Sequence, residues 1–99
     1  MKKIFSIFIS LLPLLSLAQQ KQIDSLQNIL KTSSIDTSKV TILNKIASHY
    51  IEMNNNQDAK SYATQALMLA QKNNFLTGEM QAYSYIGGIY ELFGKYDDA

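Results

Sequence analysis

Apolar residues recur along most of this chain at intervals of three and four, the spacing that gathers them on one face of an α-helix. Ile23, Leu26, Ile29 and Leu30 form such a stripe between Gln22 and Lys31, predicting a short lead-in helix of about three turns. Thr32-Ser33-Ser34 ends it, and Asp36 is placed to cap the helix that follows. That next helix is predicted over Thr37 to Met53, with Val40, Leu43, Ile46, Ala47 and Tyr50 on one face. Ile42 and Ile51 widen the apolar arc, as in a helix with neighbours on two sides. Asn54-Asn55-Asn56 then breaks the period, and asparagine suits both a left-handed helix end and the cap of a new start. The partner helix, Gln57 to Lys72, carries Ala59, Ala63, Ala66, Leu67 and Ala70 on one side. Small side chains there predict a close, antiparallel approach, toward the short end of the usual interaxial range of about 8–10 Å. Asn73-Asn74 makes a second turn into a third long helix, Phe75 to Phe93, whose face is Tyr83, Ile86, Gly87, Tyr90 and Phe93. Gly94 is expected to end it as a C-cap, and Lys95 to Ala99 to open a further helix.

The pattern repeats. Ile46-Ala47-x-x-Tyr50 with Asp58-Ala59 returns as Ile86-Gly87-x-x-Tyr90 with Asp98-Ala99, each pair 40 residues apart. A fixed period of this length is the mark of a repeat architecture. Gly87-Gly88 costs the third helix about 2 kcal/mol against two alanines, and close approach of a neighbouring helix at Gly87 is the expected compensation.

The first eighteen residues read differently from the rest. Met1-Lys2-Lys3 is a positive start, Ile4 to Leu17 is almost wholly apolar, and Ser16-Leu17-Ala18 puts small residues where a leader peptidase cuts. The apolar run holds Pro13 and falls short of the roughly twenty residues a spanning helix needs. Residues 1–18 are therefore expected to be a secretory signal peptide cleaved after Ala18, with the mature chain exported by the Sec route to the periplasm or the outer face of the inner membrane. Residues 19–36 are then the lead-in helix and linker, 37–79 a first helical unit, and 80–99 the start of a second.

Composition removes several classes of function. All nine basic residues are lysine and the net charge is +1, falling to −1 once Lys2 and Lys3 are gone, so nothing favours nucleic acid. The absence of cysteine excludes disulfides, thiol redox chemistry and thiolate metal sites. His49 is the only histidine and has no acid three or four residues before it to orient it, which reads as a polar residue at a helix edge. Asp97-Asp98, with Glu91 a turn or so earlier, fit the positive start of a helix better than a carboxylate pair for catalysis. Gly87-Gly88 lacks the lysine and glycine spacing of a phosphate loop. Tyr50 and Tyr90 belong to the repeat face, and Tyr62, Tyr85 and Tyr96 have no assigned role. No catalytic, cofactor or metal site is expected in these residues.

At the repeated positions the chain resembles the tetratricopeptide repeat family, pairs of antiparallel helices of about 34 residues. The family's pattern of large, leucine-like, small and tyrosine positions, followed by the small positions of the second helix, falls on Leu43, Ile46, Ala47, Tyr50, Ala59, Ala63 and Ala66, then on Tyr83, Ile86, Gly87, Tyr90 and Ala99. Ala63 departs from it, since an aromatic residue belongs there and Tyr62 supplies one a place early. The period of 40 leaves Asn74 to Glu79 beyond the standard unit, lengthening the helices. The resemblance implies an all-α solenoid of helix-turn-helix repeats. The layout as a whole, an Ala-Gln leader junction, a Gln22-Ile23-Asp24-Ser25-Leu26 helix and an Asp36-Thr37-x-Lys39-Val40 opening, resembles exported tetratricopeptide regions of Bacteroidetes-type signalling proteins. Those carry several repeats, a membrane helix, and then a histidine kinase or a DNA-binding response module.

In the family, peptides lie in a groove lined by the first helix of each repeat. The corresponding residues here are Thr41, Asn44, Ser48 and Ile51, then Gln81, Ser84, Gly88 and Glu91, a neutral polar surface with Lys45 at its margin. Asn44 and Ser48 stand where some members use lysine and asparagine to clamp a C-terminal carboxylate, so chaperone tails are disfavoured. The expected partner is a protein or peptide in the groove, with a membrane met only through a downstream segment. The reading is an N-terminal, extracytoplasmic sensing region of a signal-transduction protein; the alternative is a stand-alone exported scaffold. Because about three repeats are needed for a continuous core, residues 19–99 alone should be helical by circular dichroism yet melt broadly or self-associate. A sharp, concentration-independent transition of a monomer would contradict this.

Overall fold

The computed structural model describes the backbone of residues 2–97 and the side chains of residues 16–92. Four α-helices account for nearly all of it: α1 (Lys2–Thr32), α2 (Asp36–Glu52), α3 (Asn56–Lys72) and α4 (Leu76–Asp97), with no strand among the described residues. The fold class is all-α, as the periodicity predicts. The Cα envelope measures 54 × 37 × 17 Å, so the helices lie in a thin slab.

The two asparagine turns are built alike. Asn54 and Asn74 take left-handed backbone angles, φ 61° and 55°. After α2, Asn55 N–H donates to Tyr50 O at 2.9 Å and Asn54 N–H to Ile51 O at 3.0 Å. After α3, Phe75 N–H donates to Ala70 O at 2.9 Å and Asn74 N–H to Gln71 O at 3.3 Å. This is the pair of reversed bonds that satisfies the last carbonyls of a helix and turns the chain back. Asn55 then caps α3, its side chain accepting from Asp58 N–H at 3.3 Å. One run of polar residues thus ends one helix and starts the next.

Three sequence expectations are corrected at helix boundaries. Asp36 lies inside α2 as its first residue, where it favours the positive helix end and pairs with Lys39 at 4.0 Å; the cap position is Ile35, with no side-chain hydrogen bond. Gly94 does not stop α4, which continues to Asp97. A glycine ends a helix when its backbone turns left-handed, and no described glycine has positive φ. The lead-in helix is longer than the stripe suggests, since α1 runs unbroken from Lys2.

α2 and α3 form the centre of the packing, α2 touching all three other helices. α3 makes the most extensive contact with α2 and the next with α4, while α1 packs on α2, and α4 also reaches α2. Ala59, Ala63, Ala66 and Ala70 of α3 are all fully buried, as are Val40, Ile46 and Ala47 of α2 and Ala82 and Ile89 of α4, and Ala66 and Ala70 join Val40, Leu43 and Ala82 in one packed cluster. α1 contributes Ile23, fully buried, and Leu30 at the core edge.

The close backbone approach is at Gly78, not Gly87. A Cβ at Gly78 would overlap Val40 Cγ1 and lie 2.8 Å from Phe75 Cδ1, whereas Gly87 and Gly88 would meet nothing within 4 Å. The reason is the rotation of α4, which turns Gly78, Ala82 and Ile89 inward and leaves Gly87 and Gly88 on the outer side. Gly78→Ala should therefore destabilise the chain by about 1–3 kcal/mol through overpacking. Gly87→Ala should stabilise it by about 0.8–1.0 kcal/mol, the difference in helix propensity. Urea denaturation followed by helical circular dichroism measures both, and opposite signs at the two glycines are the expected outcome.

Candidate functional site: the exposed faces of α2 and α4

The residues expected to line a groove fall into two environments. On α2, Thr41 is exposed with its hydroxyl on Thr37 O at 3.2 Å, Ser48 is half-buried with its hydroxyl on Lys45 O at 2.7 Å, and Ile51 is half-buried. Asn44, between them, is only 1 % exposed. Its Nδ2 donates to Gly78 O at 3.2 Å, beneath the first turn of α4, and its Oδ1 has no partner among the described residues. On α4, Gln81, Ser84, Gly88 and Glu91 are all exposed, Gln81 donating to Tyr85 OH at 3.4 Å. Asn44 is the member of the α2 set that is hydrogen-bonded to α4.

The repeat-face residues divide between the two copies. Leu43, Ile46, Ala47, Ala59 and Ala66 are buried, and Tyr50 is half-buried. In the second copy, Tyr83 and Tyr90 are 51 % and 55 % exposed, Gly87 is exposed and Ile86 half-buried. Ala99 lies outside the described residues. The outward face of α4, with Met80 added, is thus an aromatic and apolar ridge edged by α3. Gln71 Nε2 donates to Tyr83 OH at 3.2 Å, and Lys60 Nζ stands 4.8 Å from the Tyr90 ring centroid, a cation–π distance. A separate shallow depression of about 380 Å³ lies on the other side of α3, lined by Leu43, Gln65, Met68, Leu69 and Lys72, and shares no residue with the expected groove.

Several polar contacts tie α1 to this body and are not visible in the local pattern. Tyr50 and Tyr62 stack with ring centroids 5.6 Å apart at 22°, and Gln27 Nε2 donates to Tyr62 OH at 2.8 Å. Tyr62, one place from the expected aromatic position, thereby joins α1, α2 and α3. His49 Nδ1 lies 2.6 Å from Gln19 Oε1, and Gln19 Nε2 donates to Glu52 Oε2 at 2.7 Å. The acid near His49 is thus one turn after it, 3.9 Å away, rather than before it. Spacing alone marks the i, i+3 pair His49/Glu52, but nothing local points to Gln19, 30 residues away in sequence.

Burial raises the Tyr50 phenol above its ordinary value of about 10, and the nearby Tyr62, Asp58 and Asp24 push the same way while a hydrogen bond with Gln20 opposes them. The folded chain thus holds this proton more tightly than the unfolded chain does. The resulting stability is fully present below the unfolded value and is lost as pH rises through the folded one. Thermal melts in alkaline buffer should show the wild type losing stability above pH ~10 more steeply than Tyr50→Phe; parallel curves would remove Tyr50 as the cause.

Among the described residues, no helix is long and apolar enough to cross a membrane. Comparison with protein-family models, with curated proteins and with solved structures finds no match to this chain.

Proposed function

We propose that this chain is an exported tetratricopeptide-type interaction module, serving as the N-terminal extracytoplasmic sensing part of a membrane-bound signal-transduction protein. The observation that carries the module reading is a recurring turn: α2 and α3 form a hairpin through an asparagine turn, and a turn with the same pair of backbone hydrogen bonds delivers α4 against that hairpin. Helix α1 supports it from the other end by covering α2, the role of an atypical terminal element in a stacked array. A thin slab whose helices touch chiefly their neighbours in sequence is what such an array requires.

The partner is a protein or peptide lying along Thr41, Ser48 and Ile51 of α2 and Gln81, Ser84 and Glu91 of α4, with buried Asn44 setting the spacing between the two helices. The lining is nearly neutral, so recognition rests on hydrogen bonds and shape rather than on charge steering. The chain's own residues offer no catalytic role in this reading.

A photo-crosslinking amino acid placed at Ser84, and separately at exposed Lys31 of α1 as a control, tests the groove in the exported protein within cells. A discrete protein adduct at Ser84 and not at Lys31 is expected; equal labelling at both sites, or none, removes the groove. The signalling part is tested by reading the coding frame past the Ala99 codon. A single apolar helix followed by a kinase or DNA-binding domain supports it, and a frame that closes without one leaves the stand-alone scaffold.

A further inference from the structure

Among the α1 residues whose side chains are described, Gln19 is the first that is not exposed. Ser16, Leu17 and Ala18 are exposed, whereas Gln19 and Gln20 are half-buried and Ile23 is fully buried. The Gln19 carboxamide is held at both ends by α2, through Glu52 Oε2 at 2.7 Å and His49 Nδ1 at 2.6 Å. The carboxylate fixes the amide's orientation, because it can only accept and must face the NH₂ group. Oε1, also only an acceptor, is thereby turned to His49, and the ring carries its proton on Nδ1.

Cleavage after Ala18 converts this residue into an N-terminal glutamine, which has a reaction of its own. The α-amine attacks the side-chain Cδ, forming a C–N bond that closes a five-membered lactam. The Cδ–Nε2 bond breaks, and Nε2 leaves as ammonia with a proton from the amine, so no oxidant, reductant or further reactant takes part. Ring closure requires Cδ to fold back onto the residue's own backbone nitrogen. A carboxamide engaged with α2 through two hydrogen bonds must release them before Cδ can meet that attack. The lactam, moreover, lacks Nε2 and loses the Glu52 contact altogether.

We propose that His49 and Glu52 form a receiving site for the mature N-terminus, holding the Gln19 carboxamide against α2 and so keeping the exported chain as an uncyclised glutamine. The proposal rests on the export reading and on cleavage after Ala18. It gives His49 a role that neither a catalytic nor a plain surface assignment supplies.

The full chain with its own leader, exported by a Gram-negative host and purified from the periplasm, supplies the test. Intact mass identifies the first residue, and timed incubation at neutral pH follows the loss of one ammonia; the same incubation in urea gives the rate for the released side chain. The expected result is a chain beginning at Gln19 with its carboxamide intact, losing ammonia more slowly in buffer than in urea. Glu52→Ala and His49→Ala, checked for unchanged helicity, should each cyclise roughly fivefold faster in buffer, the factor one net hydrogen bond corresponds to. Equal wild-type rates in buffer and urea, or a chain already cyclised on isolation, overturn the proposal and leave the export reading standing. A chain beginning at an exported residue other than Gln19 overturns the proposal and its cleavage position, and one still beginning at Met1 overturns the export reading as well. Should a variant fail to fold, the wild-type comparison between buffer and urea decides alone.

Discussion

The packing depends on the alanine stripe of α3. This helix lies against both α2 and α4, and it can do so because Ala59, Ala63, Ala66 and Ala70 present only methyl groups where the backbones meet. Each alanine is fixed at no cost in side-chain entropy, but each also buries little apolar area of its own. The bulk that fills the core therefore comes from the neighbours, Val40, Leu43 and Ile46 on one side and Ile89 on the other. Large residues on α2 thus meet small ones on α3, a complementary pair.

How far the sequence discloses this arrangement depends on whether the cause is local. The helices and both turns were legible because period, asparagine and capping act within a few residues. Asn54 and Asn74 take the left-handed angle that the bare sequence assigns to such positions, and Asn55 caps as its type suggests. Legibility fails where two positions share a composition and only the rotation of a helix tells them apart. Gly78 and Gly87 are both glycines in α4; the inward one is decided by which face meets α2, and the apolar stripe containing Tyr83 and Tyr90 pointed to the wrong face. Gly94 misled for a related reason, since a glycine permits a left-handed turn without requiring one. In the candidate groove, Asn44 looked like its neighbours Thr41 and Ser48 until α4 was placed over it.

The same motif meets opposite surroundings in its two copies. On α2 the face of Leu43, Ile46, Ala47 and Tyr50 is covered by α3, while on α4 the face of Tyr83 and Tyr90 is exposed. α3 touches only its margin, through Gln71 and Lys60. Tyrosine suits such a position, since its ring offers apolar area and its hydroxyl stays hydrogen-bonded whether or not the ring is covered.

Helix α1 is attached by different means from the others. Against α3 the core helices use a continuous stripe of fully buried residues, but among the described residues α1 inserts one fully buried side chain, Ile23, and supplements it with Leu30 and with polar contacts from Gln19 and Gln27. Burying one isoleucine contributes about 1.5–3 kcal/mol, and each net hydrogen bond about 0.5–1.5 kcal/mol. Attachment on that scale, with its polar part reachable by water, belongs to the low-stability end of a fold, where local opening is easiest. The Tyr50–Tyr62 stack lies directly behind Gln27, so displacement of α1 would uncover the aromatic pair that joins α2 to α3. The hold on Gln19 thus acts at one end of α1 and the Gln27–Tyr62 bond two turns further along, and together they keep closed the element that shields the core of the first hairpin.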